Sequence, residues 1–127
     1  QSTSPVTVKT SATANLAGAT ALTLGATHAC AIVGTGSTAT AVCWGNGASG
    51  KLGNAGTANS SFAVTVVVTN TTGISVIVAG GSHTLSLVPT TGVMASKGAA
   101  VWGLNTNGQL GTGTTTTATY PVILGLL

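Results

Sequence analysis

The chain has 127 residues, of which 43% are hydrophobic and 19 are glycine, and its formal net charge is +3. This length fits one domain with a modest core, and the abundance of Val, Thr and Gly favours an all-β fold. No apolar run approaches the about 18 residues of a membrane-spanning helix, so we expect no membrane span. Because only Lys9, Lys51 and Lys97 carry positive charge, we also expect no nucleic-acid partner.

The sequence contains no Asp and no Glu, whereas about a quarter of the residues of an ordinary globular chain are charged. One interpretation is a surface of hydroxyls and amides, suited to acid or to tight assembly. The alternative is that carboxylates of the natural chain were assigned as smaller residues, and the mass of the intact chain would distinguish the two. Without carboxylates the chain lacks the groups for acid–base chemistry, so we expect no enzyme activity.

Residues 1–19 are polar and rich in Ser and Thr, and Pro5 disfavours helix locally, so we predict an extended N-terminal arm. The sequence begins with Gln1 rather than Met. We interpret Gln1 as a processed N-terminus, which indicates export, and truncation is the alternative.

After the arm the chain alternates short apolar runs with glycine-rich turns. The predicted strands are 21–24, 28–33, 40–44 and 62–68, followed by 74–78, 83–88, 99–102 and 120–124. Four strands per unit are typical of a β-propeller blade. We therefore predict one structural domain with an arm at 1–19, a first repeat at 20–73 and a second repeat at 74–127.

The two units share a pattern of single residues at nearly constant spacing. The histidines lie 55 positions apart and the other pairs 58 apart, so one short insertion reconciles them. The matching residues are His28 and His83, Trp44 and Trp102, Gly45 and Gly103, Gly50 and Gly108, Leu52 and Leu110, and Gly53 and Gly111. A structural role explains them all, because Trp packs between units, Leu fills the core and Gly allows tight turns and close backbone approach.

The second copy, with GGSH at 80–83 and WGLNTNGQLG at 102–111, resembles the regulator of chromosome condensation repeat. The resemblance implies two four-stranded antiparallel blade-like repeats of a kind found in seven-bladed propellers and in many secreted bacterial proteins. The first copy departs at Gly47 and Lys51, where the second has Asn105 and Gln109. The acidic turn residue that is usual in the family is missing, and two units are too few for a ring.

Cys30 and Cys43 occupy the places of Leu85 and Val101 in the second copy, so both cysteines are replaced together. This paired exchange predicts a disulfide across neighbouring strands, worth roughly 3 kcal/mol, and an oxidising compartment. Two free buried thiols, or a Cys/His nucleophile, are the alternatives.

Two further patterns give no site. The segment 45–51 imitates a phosphate-binding loop, but Leu52 stands where Ser or Thr should bind magnesium. His28 and His83 begin equivalent strands and lack the further ligands of a metal centre. We expect no cofactor and no metal.

Polar loops carry possible glycosylation positions, although a sequence rich in Thr and Asn also produces such patterns by chance. Asn59 and Asn70 fit the N-linked pattern, and the run Thr114, Thr115, Thr116 and Thr117 is suited to O-linked sugar.

Two hypotheses for the function follow. The first is a secreted, self-assembling structural protein at the cell surface, a subunit of a filament or pilus-like polymer in which residues 1–19 add a strand to a neighbour. The second is a protein-binding module, a fragment of a longer seven-bladed propeller. The family includes a guanine-nucleotide exchange factor and a β-lactamase inhibitor, but no residue here matches those activities specifically.

Overall fold

The computed structural model describes residues 2–67, 73–89 and 97–125, and its strands form two four-stranded antiparallel sheets. In each sheet every strand pairs with the next one along the chain, as the turn-rich sequence predicts. Blade 1 consists of β1 (Ala19–Leu24), β2 (His28–Val33), β3 (Thr40–Gly45) and β4 (Ser60–Thr65). Blade 2 consists of β5 (Val76–Ala79), β6 (His83–Pro89), β7 (Lys97–Gly103) and β8 (Ala118–Leu124).

The fourth strand of blade 1 is shifted from its predicted position at 62–68. The backbone N–H of Val66 still donates to the carbonyl of Ala41 in the same register, but the N–H of Val67 donates to the carbonyl of Gly53, in the turn after β3, so the strand ends at Thr65. The strand begins earlier than predicted because a register shift beside β3 lets Ser60 pair with Gly45. Tertiary hydrogen bonds, which no local pattern reports, thus determine both ends.

Each blade has two faces because side chains alternate along a strand. We call the face that carries His28 or His83 the front, and the opposite face the back. The front of blade 1 packs on the back of blade 2, and this contact contains the main core. The core residues are Cys30, Ile32, Ala39, Ala41, Cys43, Leu52, Val66, Ile74, Ile77, Val88, Ala100 and Trp102.

The N-terminal arm is not fully extended, since part of it folds back as a hairpin in which Lys9 and Asn15 form an isolated bridge. Val8 and Leu16, one on each side of this hairpin, pack half-buried on the back of blade 1. The backbone N–H of Ala63 in β4 also donates to the carbonyl of Lys9. The arm therefore lies on the chain's own blade.

Within residues 2–67, 73–89 and 97–125, no helix has the length and hydropathy to cross a bilayer.

Candidate functional site: the blade faces

The histidine that begins β2 reaches across to blade 2. His28 is buried, and its Nε2 lies 2.9 Å from the hydroxyl oxygen of Thr84. Burial lowers the pKa of His28 below 6.5, and the charges of Lys51 and His83 lower it further. His28 is therefore held neutral, as a hydrogen-bonding link between the blades.

Trp102 is completely buried and packs in the same contact between blade 1 and blade 2. Its indole N–H donates to the carbonyl of Lys51 at 2.9 Å, so the ring is fixed against the turn that follows β3. Gly53 ends this turn at a φ of 65°. A Cβ at Gly53 would lie 2.8 Å from the indole nitrogen, so only glycine leaves room for the ring.

A second glycine of this turn, Gly50, lies directly against β8, the outer strand of blade 2. A Cβ on Gly50 would lie 2.4 Å from the Cα of Thr119. The backbone N–H of Ala55 also donates to the carbonyl of Thr119 at 3.0 Å. The sequence-predicted turn 45–53 is thus a socket, which we call the blade socket, and it holds β8 and Trp102 of the next blade.

The equivalent turn of blade 2 repeats this geometry without an occupant among the described residues. Gly111 has a φ of 66°, yet its Cβ would meet nothing nearer than Leu124 at 3.8 Å. A Cβ on Gly108 would meet nothing within 4 Å. Leu52 and Leu110 are both buried beneath their turns. Blade 2 therefore carries a second, open blade socket at 103–111.

Gly45 and Gly103 have a different role, because their close contacts lie inside their own blades. A Cβ there would come within 2.7 Å of the carbonyl of Thr27 and 2.6 Å of that of Ser82, respectively. Both blades fill these positions equally. Gly108 and Gly111 differ from them, because the space around these two glycines is open where the equivalent space in blade 1 is filled by the next blade.

Cys30 and Cys43 form the predicted disulfide, which is confirmed. The two residues are direct partners in the β2–β3 ladder, with their Cα atoms 4.1 Å apart, and both are fully buried. The bond lies on the front of blade 1, inside the contact with blade 2. The alternatives of free thiols and of a cysteine nucleophile are thereby overturned.

Asn105 organises the long loop of blade 2, a role that the sequence analysis missed. Its side chain is buried, donates to the carbonyls of Thr114 and Thr116, and accepts from the backbone N–H of Leu110. In blade 1 the loop backbone occupies the corresponding space, since a Cβ on Gly47 would clash with the carbonyl of Ala58. The sequence signal for this role was the exchange of Gly47 in the first copy for Asn105 in the second.

Two faces remain open in the described part of the chain. On the front of blade 2 several large apolar side chains are exposed, namely Val76, Val78, Leu85 and Tyr120. On the back of blade 1, Leu22 and Leu24 are exposed and Trp44 is half-buried beside the N-terminal arm. Contiguous exposed apolar surface of this kind makes each of the two faces a candidate binding face.

The other predicted positions lie apart from these faces or outside the description. Asn59 is exposed and accepts from the backbone N–H of Gly47, and the run 114–117 lies in the loop that Asn105 holds. Asn70 lies outside the described residues. Glycosylation stays a prediction, and the described residues contain no cluster of three metal-binding side chains.

No protein-family model and no curated protein matches the sequence. Solved structures do. Human WBSCR16 is similar over 88% of this chain, with 18% identity and a TM-score of 0.71. Yeast RCC1 (Prp20), in a structure where it is bound to Kap60, is similar over 94%, with 22% identity and a TM-score of 0.64. The chain spans 27% and 25% of those two proteins. It therefore has the fold of two consecutive blades of a propeller of the regulator of chromosome condensation type.

Proposed function

We propose that this chain is a protein-binding module in which two propeller blades present open faces to another protein. The observation that carries the proposal is the second blade socket. It has the backbone geometry that holds Trp102 in blade 1, but none of the described residues fills it. An apolar socket of this kind gains free energy when a partner covers it.

Two further observations support binding over catalysis. The sequence supplies no carboxylate for acid–base chemistry, and His28 is buried between the blades. The similar yeast protein is bound to Kap60 in its crystal structure, which supports protein binding as a use of this fold. We propose no reaction for the chain.

Photo-crosslinking in the native source tests the proposal. A photoreactive side chain at Leu85, on the open front of blade 2, should capture protein in high yield. The same group at Thr38, which is exposed in the β2–β3 loop of blade 1, is the matched control. Equal yields at the two positions, or no captured protein at Leu85, would contradict the proposed binding face.

An extracellular or cell-surface location is also part of the proposal, and the disulfide supports it because such bonds persist in oxidising compartments. Protein taken from the native source and denatured without reductant should show no free thiol. Two free thiols there would argue for a reducing compartment.

The more specific hypothesis of a filament or pilus-like subunit draws no support from the similar structures. The arm also lies on the chain's own blade, so it is not free to add a strand to a neighbour in this conformation. Self-association is retained only in the form argued next.

A further inference from the structure

The contact between the two blades shows what an open blade socket accepts. In blade 1 the socket receives a tryptophan whose indole N–H bonds to the carbonyl of Lys51. In the open socket of blade 2, Gln109 occupies the place of Lys51. Among the described residues no donor bonds to the Gln109 carbonyl. A matching occupant therefore brings an aromatic ring with an N–H group.

The back of blade 1 carries such a ring. Trp44 is the counterpart of Trp102, and it is half-buried rather than enclosed. No described residue accepts a hydrogen bond from its indole N–H. The chain thus presents an open socket on one blade and an unenclosed tryptophan on the other.

Polarity matches these two open faces to each other. Inside the chain the blades meet through polar pairs, in which Thr23 accepts from the N–H of Ala79 and His28 bonds to Thr84. On the open front Val78 stands at the place of Thr23, as its pairing with Leu85 shows. Because Val78 has no side-chain oxygen, the open front cannot accept a hydrogen bond from a backbone N–H at the place where Thr23 does.

The open back has lost its polar groups at the matching places. Ala29 stands where blade 2 has Thr84, and Ala31 stands where blade 2 has Ser86. Around Val78 and Leu85 the open front is apolar, and it suits the open back around Ala29 and Ala31, whereas either would leave polar groups unpaired against the internal faces. The half-buried His83 is the exception, because it holds the place of His28 and would face Ala29, which has no hydroxyl. The apolar parts of the chain's own two open faces are therefore complementary.

The N-terminal hairpin covers only part of the open back. It contacts the blade through the half-buried side chains of Val8 and Leu16 and through one hydrogen bond, from the backbone N–H of Ala63 to the carbonyl of Lys9. A groove of about 470 Å³ remains between the hairpin and β1, lined in part by Trp44 and Leu22. With so few contacts, local opening of the hairpin costs little compared with unfolding a blade.

We propose that the front of blade 2 binds the back of blade 1 of a second copy, head to tail, once the hairpin is displaced. Trp44 of one copy then lies in the open socket of the other and donates to the carbonyl of Gln109. This interface deepens the proposed protein-binding function by naming the partner, and it rests on that function. Copies of this 127-residue chain, with its two described blades, would form a closed ring with an even number of blades, such as six or eight, and any other rotation gives an open helix.

Sedimentation equilibrium of the full chain over a wide concentration range tests this. We expect reversible association, with species made of three or four copies or a growing series. Leu85→Lys should weaken association at least tenfold because it puts a charge into the apolar contact. Ile123→Lys is the matched control, because Ile123 is 43% exposed, against 36% for Leu85, but lies off the front face. It should leave association unchanged.

Two further variants address the tryptophan and the hairpin. Trp44→Phe keeps an aromatic ring but removes the indole N–H, and should weaken association roughly fivefold. Leu16→Ser loosens the hairpin and should strengthen association several-fold, because more of the chain is then competent to bind. Trp44 emission should shift to the blue as concentration rises, and hydrogen exchange in β2 and β3 verifies that each variant is folded.

A chain that stays monomeric at all concentrations, with Leu16→Ser included and the fold intact, would overturn this interface. So would association that Leu85→Lys and Ile123→Lys affect equally. If Leu85 crosslinks instead to a different protein, the proposed function stands and the second copy is excluded as its partner. If Leu85 crosslinks to nothing, the binding function itself fails.

Discussion

At the scale of single residues, His28 makes the contact between the blades sensitive to pH. Its pKa is lowered by burial first, and then by the charges of Lys51 and His83. The folded chain therefore binds fewer protons than the unfolded chain between the lowered pKa and 6.5. Stability is complete above pH 6.5 and falls as the pH drops through that value towards the pKa of the folded state.

Denaturant unfolding on both sides of pH 6.5 measures this effect. His28→Asn should lower stability at every pH and remove the pH-dependent loss. His83→Asn, at the equivalent strand start of blade 2, should retain it. A slope that survives in His28→Asn would show that another group is responsible.

Replacing Gly53 and Gly111 by Ala in turn separates the cost of a strained backbone angle from the cost of a clash with a neighbouring side chain. Both have φ near 65°, so replacement by Ala strains each backbone by about 1 kcal/mol. Only at Gly53 does the new Cβ also collide with Trp102. We expect the free energy of unfolding to fall by about 1–3 kcal/mol more for Gly53→Ala than for Gly111→Ala. Equal losses would mean that Trp102 adjusts freely.

At the scale of elements, the disulfide ties β2 to β3 at directly paired positions inside the contact between the blades. Replacing Cys30 and Cys43 together by Ala should lower the free energy of unfolding by about 3 kcal/mol, because the unfolded chain regains the freedom of the closed loop. Urea unfolding of the oxidised protein and of the double variant gives this difference.

Burial of both sulfurs adds an expectation about access. A reductant should leave the bond intact under native conditions and cleave it only when the chain unfolds. Rapid reduction of the folded protein would contradict the buried position of the bond.

At the scale of the whole molecule, most of the core lies between the blades rather than inside either one. The two blades should therefore unfold as one cooperative unit. Trp102 emission reports the contact and far-UV circular dichroism reports both sheets, and we expect their thermal transitions to coincide. In Gly53→Ala, which alters only blade 1, both signals should shift together. Separate transitions would show that each blade is stable alone.

By itself the sequence determined the all-β class, the two units of four strands and the pairing of Cys30 with Cys43. These follow from local turn chemistry, from alternation along strands and from a repeat that exchanges both cysteines at once. The same repeat indicated which residues are structurally equivalent. It did not indicate which neighbour each one contacts.

Only the tertiary structure decided the rest. It showed that Trp102 bonds to the turn of the other blade, that Asn105 holds a loop, and that the N-terminal arm lies on blade 1. It also separated Gly53, which is filled, from Gly111, which is open, although the two share a motif and a backbone angle. The physical reason is that burial and hydrogen bonding depend on what packs against a residue. For Trp102 that partner, Lys51, lies 51 positions away in the chain.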